Sequence, residues 1–397
     1  MIRRDYDYYR NSFKNIPKPF AYLDLDLLQE NIRKIRKRNN GKKIRIATKS
    51  LRCVQSIRYI LKQGDPFQGV MCFTIPEALF LAERGLADLL VAYPAWDKNQ
   101  IRATARAVRK GNSVTLMVDN PQHVDHIESI ARREESHIPL CVDLDLSVRY
   151  PGLVFGVRRS PIRGEKEMLH LVQRIAASHH VHLDGLMGYE AQIAGVGDHY
   201  PRQWLKNTLL RFLKGRSVRE IAERRAKTVQ AIRRLGIPLR FINGGGTGSL
   251  HTTSLEDTVT EVTVGSGFYA PGLFDYYRDV RYRPAAGFAI EITRRPQPGI
   301  FTCTGGGYTA SGRAGPDRLP LPYLPDGASL FPSEGAGEVQ TPIRYRGAVE
   351  LNLGDPVFMR HSKAGELCEH FNHLYWLSEG RIVDRVKTYR GHGRCFL

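Results

Sequence analysis

No two of the six cysteines are spaced as CxxC; Cys53, Cys72, Cys141, Cys303, Cys368 and Cys395 are scattered along the chain. The spacing gives no sign of a zinc ribbon or a dithiol redox motif, and several lie in apolar, strand-like segments, so they read as buried free thiols. No apolar run approaches the roughly 18 to 20 uncharged residues a bilayer span needs. The basic, tyrosine-rich start MIRRDYDYYRNSFKN lacks the apolar stretch of a signal peptide. A cytoplasmic location and no membrane partner are therefore expected. Acidic residues are also scarce, with 40 Asp and Glu against 59 Lys and Arg and a formal charge of +19. That excess suits either nucleic acid or small anionic substrates and phosphate. The basic residues are spread through amphipathic stretches such as NIRKIRKRNNGKKIR and VREIAERRAKTVQAIRRLG, where they read as solvated helix faces. No recognised binding module accompanies them, so no specific nucleic-acid partner is expected.

What is present is ordinary for a globular protein: 42% hydrophobic and 25% charged residues over 397 positions. That length suits a large domain of about 250 residues plus a smaller one. Residues 1–18 read as an extension. Across residues 19–275 one rhythm repeats, a short β-rich run and then an amphipathic helical stretch. The runs are FAYLDLD, IRIATKS, GVMCFT, DLLVAYP, SVTLMVD, IPLCVDLDL, LDGLMGYEA, LRFINGGG and TEVTVGSGFY. Between them, IPEALFLAERGL and NQIRATARAVRKG carry apolar residues at helical spacing. Alternation over this length predicts an α/β fold with a parallel sheet, and the strand count favours a closed eight-stranded barrel of the TIM type. Over residues 276–397 the runs GFAIEITRR, YRGAVELNL, FNHLYWLS and RIVDRVKTYRG replace the helices, which predicts a smaller, mainly antiparallel β domain. The Gly- and Pro-rich stretch 305–341 reads as a long loop, and loops of that length often carry function.

Chemistry enters at Lys49, which ends the run KIRIATKS. Catalytic groups of barrels come from the C-terminal ends of strands, although by position alone Lys49 is equally a surface lysine. Two glycine turns bear on the choice. In INGGGTGS, residues 242–249, three glycines follow a strand and precede a threonine. In VGSGFYAPG, residues 264–272, a Gly/Ser turn follows the last barrel strand. Glycines let backbone N–H groups approach an oxyanion, so two such turns late in a barrel predict a phosphate cup. The spacing is not that of an ATP-type P-loop. A lysine beside a phosphate cup suits an aldehyde cofactor that carries a phosphate, which describes pyridoxal 5′-phosphate (PLP).

With these motifs in place the chain resembles the fold-type III PLP enzymes, the superfamily built on the alanine racemase barrel, and within it the D-threonine aldolase and D-serine dehydratase group. The resemblance runs in order through PFAYLDLDLLQENI, RIATKS, TIPEALFLAERGLADLLVAYP, GLMGYEAQ, INGGGTG and VGSGFY and covers nearly the whole chain. It implies that Lys49 carries PLP as a Schiff base. It implies that Gly244, Gly245, Gly246, Thr247, Gly265 and Ser266 surround the phosphate. Tyr189 matches an aromatic position beside the cofactor, and Gln192 stands where a family member often has histidine. Arg149 is similar to an arginine near the cofactor's phenolic oxygen, with Arg158 and Arg159 as rivals because YPGLVFGVRR departs from the usual pattern.

The resemblance also implies a divalent metal, zinc or manganese, near a short H-x-C or H-x-D motif in the β domain. This chain has RHSKAGELCEHFNHLYWL instead, residues 360–377. With Cys368 and Asn372 aligned on the family's Cys and Asn, Glu366 replaces the His. The candidate ligands are His361, Glu366 and Cys368, with Glu369, His370 and His373 nearby; packing rather than ligation is the alternative. The activity implied is that of a lyase, aldolase or dehydratase, on a β-hydroxy D-amino acid. An amino-acid racemase is the alternative within the fold, with Tyr308 and Tyr345 as candidate second bases. A non-catalytic PLP carrier and a basic nucleic-acid-associated protein are further alternatives. The fold implies a homodimer with shared sites, in which residues 305–307 and ASGRAGPDR roof a neighbouring barrel; Arg313 is a candidate contact for the substrate carboxylate, with a solvated loop arginine as the alternative.

Overall fold

Eight parallel strands close on themselves in the computed structural model, which describes residues 4–397. In chain order they are Lys43–Ala47, Phe67–Cys72, Leu89–Val91, Val114–Val118, Ile138–Asp143, Val181–Gly188, Phe241–Gly244 and Glu261–Val264. The barrel shuts where the last strand pairs with the first, Val262 opposite Ile44. Helices follow the strands where the sequence supplies both an apolar stripe and a start signal. Thr74 caps Ile75–Ala82 by accepting from the Glu77 N–H at 3.3 Å, with a proline in the first turn. Asn120 does the same for Pro121–Arg133 through the His123 N–H at 3.0 Å.

The barrel interior is layered. At the N-terminal ends of the strands the fully buried Arg45 grips Glu261 with two bonds of 2.7 and 2.9 Å and reaches Asp88 at 2.9 Å. Arg240 holds Asp184 at 2.8 and 2.7 Å and touches the same Asp88 at 2.9 Å. A cation buried as deeply as Arg45 is tolerated because it is paired and hydrogen-bonded, and the exposed Arg240 closes the network at its edge. Above this plug lies a small apolar layer of Leu90, Ala92, Met117, Cys141, Met187 and Phe241. The Phe241 ring fills the space that a side chain on Gly185 would need, 2.4 Å from its Cβ position. The third layer, at the C-terminal ends, is open.

One of the nine strand-like runs lies outside the barrel. Phe20–Asp24 pairs antiparallel with Ala286–Gln297 and parallel with His373–Ser378, in the middle of the second sheet. All five of its residues are buried, and a strand covered on both faces has the same apolar run in either sheet. Residues 6–13 join the same body. Tyr9 and Phe13, from Tyr6–Ser12 and its C-cap, pack on Tyr22 and Phe358, and the Tyr6 hydroxyl donates to the Pro356 carbonyl at 2.9 Å.

That second sheet has nine strands and is mainly antiparallel. The expected strand over YRGAVELNL is displaced: the strand is Gln340–Tyr345, and the next is Pro356–Arg360. The Tyr345 hydroxyl donates to the Val349 carbonyl at 2.9 Å and accepts from its N–H at 3.0 Å, folding those residues into a turn. Within 305–341 two short strands form, Leu321–Leu324 and Ala328–Leu330; most of the rest is loop. All six cysteines are free, five buried and Cys395 exposed.

Candidate active site

The open end of the barrel holds a cleft of about 730 Å³, lined from the ends of several strands and from the loops beyond them. Lys49 enters from the turn Thr48–Ser50 that ends the first strand. Two bonds hold that turn: Thr48 Oγ1 donates to the Met71 carbonyl at 2.8 Å, and Arg52 Nε donates to the Lys49 carbonyl at 3.1 Å. The Lys49 ammonium stands 3.5 Å from the Tyr93 hydroxyl. Tyr93 follows the strand Leu89–Val91, and Tyr189 follows Val181–Gly188.

Arg159 spans these two tyrosines, its guanidinium 5.3 Å from the Tyr93 ring centre and 5.1 Å from that of Tyr189. Both contacts are of cation–π range. Burial alone would raise the Tyr93 phenol, but Lys49 and Arg159 outweigh it and hold the group below its ordinary value. Tyr189 has Arg159 alone as a nearby cation, and burial pushes it up to about 12. The Asp143 carboxyl, ending the strand Ile138–Asp143, is pushed up to about 7 by burial, with Arg159 opposing.

The two glycine turns meet across the cleft from Tyr93. Gly245 adopts φ +84°, a backbone that favours glycine. A Cβ on Gly246 would stand 2.8 Å from that of Ala194, and one on Gly265 2.6 Å from the Ser50 hydroxyl. The absent side chains therefore leave backbone and hydroxyls lining a concave wall. Ser50 and Ser266 hydroxyls lie 3.3 Å apart, and Thr247 Oγ1 accepts from the Gly267 N–H at 2.9 Å, tying the turns together. Neutral donors on glycine backbone and serine hydroxyls suit a phosphate dianion.

Under the first turn lies a buried charged network. Arg225, fully buried, donates to Glu190 Oε2 at 2.9 Å and to the Gly188 carbonyl at 3.0 Å, and it also pairs with Glu256. Glu190 Oε1 accepts from Ser249 Oγ at 2.8 Å, and Ser249 Oγ in turn accepts from the Gly246 N–H at 3.0 Å. The chain of bonds runs from the residue after Tyr189 to the middle of the glycine triplet.

The structure brings Lys49, Tyr189, Gly245, Gly246, Thr247, Gly265 and Ser266 to this one cleft. Gly244 lies beneath it, its Cβ position 2.9 Å from Thr253 and 3.0 Å from Arg225. Arg149 lies outside: it is exposed on the small hairpin Val148–Tyr150 and Leu153–Phe155, and the rival Arg159 lines the cleft instead. The hairpin turns the chain before it returns to the barrel mouth, a path that spacing did not reveal. Gln192 is buried behind the cleft, where its amide donates to the Leu146 carbonyl at 2.7 Å. Tyr93 was missed, although its place at a strand end is the same signal that singled out Lys49.

The candidate metal ligands do not fit a metal. Among the described residues no three His, Cys, Asp or Glu side chains converge on a point that could hold an ion. Cys368, in the short helix Leu367–His370, is fully buried in the apolar core, where burial pushes its thiol well up. His361 is fully buried, and burial pushes it down to about 3. Glu366 turns the other way, to the cleft mouth, and accepts from the Ser311 N–H at 2.9 Å. Of the expected roof, Ser311, Gly312, Asp317 and Arg318 line the mouth of this same chain's cleft; Arg313 is exposed outside it.

Residues 23–271 match the family described as alanine racemase, N-terminal domain. The 3-hydroxy-D-aspartate aldolase of Paracoccus denitrificans (strain Pd 1222) is 24% identical over 260 residues, 63% of this chain and 60% of the relative. The match thus spans about 60% of that curated relative's length. Among solved structures, D-threonine aldolase from Filomicrobium marinum superposes with a TM-score of 0.80 at 16% identity, over 95% of this chain and 96% of that one. D-threo-3-hydroxyaspartate dehydratase from Delftia sp. HT23 does so with a TM-score of 0.73 at 18% identity, over 95% and 98%. The family match covers more than half of the chain and most of the barrel, and the neighbours repeat both sheets: this chain belongs to the family of the alanine racemase N-terminal domain.

Proposed function

We propose that the chain is a PLP-dependent lyase, an aldolase or a dehydratase, acting on β-hydroxy D-amino acids. The observation that carries the reading is one lysine, Lys49, in the same cleft as two glycine turns joined by the Thr247 to Gly267 bond. The relatives' names, aldolase and dehydratase, support the reaction class.

PLP, when bound, supplies a sink for the electron pair released at the substrate's Cα. In this reading Lys49 Nζ would hold the cofactor's carbonyl carbon, and Gly245, Gly246, Thr247, Gly265 and Ser266 would hold its phosphate. Tyr189 would lie beside the cofactor, and Arg159 fixes Tyr189 and Tyr93 relative to each other. Lys49 would move a proton at the substrate's Cα, with Tyr93 as its hydrogen-bond partner. The core residues His361 and Cys368 are left out of the chemistry, and no step passes through a metal. A homodimer belongs to the same proposal and is checked by light scattering.

The test is to load the protein with PLP and incubate it with D- and L-threonine, serine and 3-hydroxyaspartate. Glycine plus an aldehyde means aldolase; ammonia plus a keto acid means dehydratase. Inversion without cleavage would replace the lyase by a racemase. Borohydride reduction and peptide mapping should place the cofactor on Lys49, and a label elsewhere would overturn the site.

A further inference from the structure

The cleft continues outward into a cavity of about 1210 Å³, which shares Lys49, Tyr189 and Ser266 with the inner chamber. Its outer wall comes from the β domain and carries two cations that the proposed chemistry does not use. Lys363 Nζ donates to the Ser311 carbonyl at 3.1 Å and its hydroxyl at 2.5 Å, and an Arg318 N–H reaches the same carbonyl at 3.4 Å. Two side chains from different loops thus converge on one neutral residue. Lys363 has three donors, and Ser311 takes two.

Two carboxylates share the wall. Asp317 lies 3.4 Å from Arg318 Nε, in salt-bridge range but without a hydrogen bond, and Glu366 spends one oxygen on the Ser311 N–H at 2.9 Å. Arg52, at the inner edge, is already matched by Glu369 at 2.7 Å. Lys363 makes no ion pair among the described residues. A serine carbonyl and hydroxyl are weaker partners for an ammonium than a carboxylate is, so an incoming carboxylate gains by replacing them.

We propose that Lys363 and Arg318 form an anion-binding wall for the substrate side chain, and that the preferred substrates are β-hydroxy amino acids bearing a second carboxylate. The proposal rests on the lyase reading for the reaction but on the wall alone for the charge. The comparisons include both kinds: one relative and one structural neighbour are named for 3-hydroxyaspartate, and another neighbour for D-threonine.

The experiment measures kcat/KM for D-3-hydroxyaspartate and D-threonine on PLP-loaded wild type, K363M, K363R and R318Q. Wild type should favour the acidic substrate, and K363M should cut the acidic-to-neutral ratio about tenfold or more, chiefly through KM, with K363R restoring part of it. R318Q should move the ratio in the same direction. An equal loss on both substrates, or a wild-type preference for D-threonine, would overturn the wall. If wild type turns over neither substrate, the lyase reading fails, and calorimetry decides the wall separately. Succinate should then bind wild type more tightly than butyrate does, and K363M should abolish that difference; equal binding to wild type overturns the proposal.

Discussion

The carbonyl oxygen of Lys49 lies 1.8 Å from the point where a Cβ on Gly365 would stand. The β domain is therefore packed against the backbone of the cleft lysine with no room for one methyl group. Gly365 also adopts φ +90°, which disfavours any side chain. Replacing it with alanine should push apart the loop and the Lys49 turn, costing about 2–4 kcal/mol of stability and more than about tenfold in kcat. Denaturant unfolding and steady-state kinetics of G365A read both effects; a variant as active as wild type would show that the two bodies need not touch for catalysis.

Arg159 and Arg149 separate by position. R159M removes the cation shared by Tyr93 and Tyr189, and kcat/KM should drop about tenfold, the equivalent of about 1.4 kcal/mol for a desolvated cation–π pair. R149M, on the exposed hairpin, should stay within about 0.5 kcal/mol of wild type in stability and keep its kinetics. The reverse ranking would return Arg149 to the site.

Glu190 is the hinge of the buried network under the glycine triplet. E190Q leaves Arg225 buried with Glu256 as its remaining anionic partner. Breaking one arm of such a cluster costs about 3–5 kcal/mol. The melting temperature should fall, and PLP affinity, followed by fluorescence quenching, should weaken because Arg225 no longer holds residue 190 firmly under Ser249 and the Gly246 N–H. Unchanged PLP affinity would confine the network to folding.

Stability should decline from acid to neutral pH at Glu77. Burial pushes its carboxyl from about 4.5 up to about 7, against the opposing pull of bonds from the Phe73 N–H at 2.7 Å and the Tyr389 hydroxyl at 2.9 Å. The folded chain then keeps a proton that the unfolded chain has released, so this contribution is complete below about 4.5 and is lost as pH rises through about 7. Urea midpoints measured from about pH 5 to about pH 8 should fall more steeply for wild type than for E77Q. Parallel slopes would assign the pH dependence elsewhere.

Cys368 tests the metal expectation. As a core residue its replacement by alanine should cost about 1–2 kcal/mol and leave kcat within about twofold. Loss of activity together with loss of zinc or manganese on elemental analysis would make it a ligand after all.

Much of the barrel was readable because a parallel strand buried on both faces and an amphipathic helix leave different apolar periods. Lys49 and the two glycine turns were readable because they stand at strand ends, where a barrel presents its chemistry. Phe20–Asp24 was misplaced because its continuous apolar run is the same whether the strand is covered by barrel helices or by neighbouring strands of the second sheet. The metal expectation rested on the resemblance, and its candidate ligands on residue types close in sequence. Cys368 and Glu366, two positions apart, lie in the core and at the cleft mouth, because a short helix turns one inward and the other outward.

Local spacing and composition by themselves determined the alternating architecture and singled out Lys49 and the two glycine turns as strand-end candidates, since each depends on residues within one turn or strand. Tertiary structure alone decided that Arg159 rather than Arg149 reaches the cleft. It also decided that Glu190 braces the triplet through Ser249, and that Lys363 and Arg318 meet at Ser311. These groups are brought together by contacts between distant elements, and such contacts leave no period in the chain.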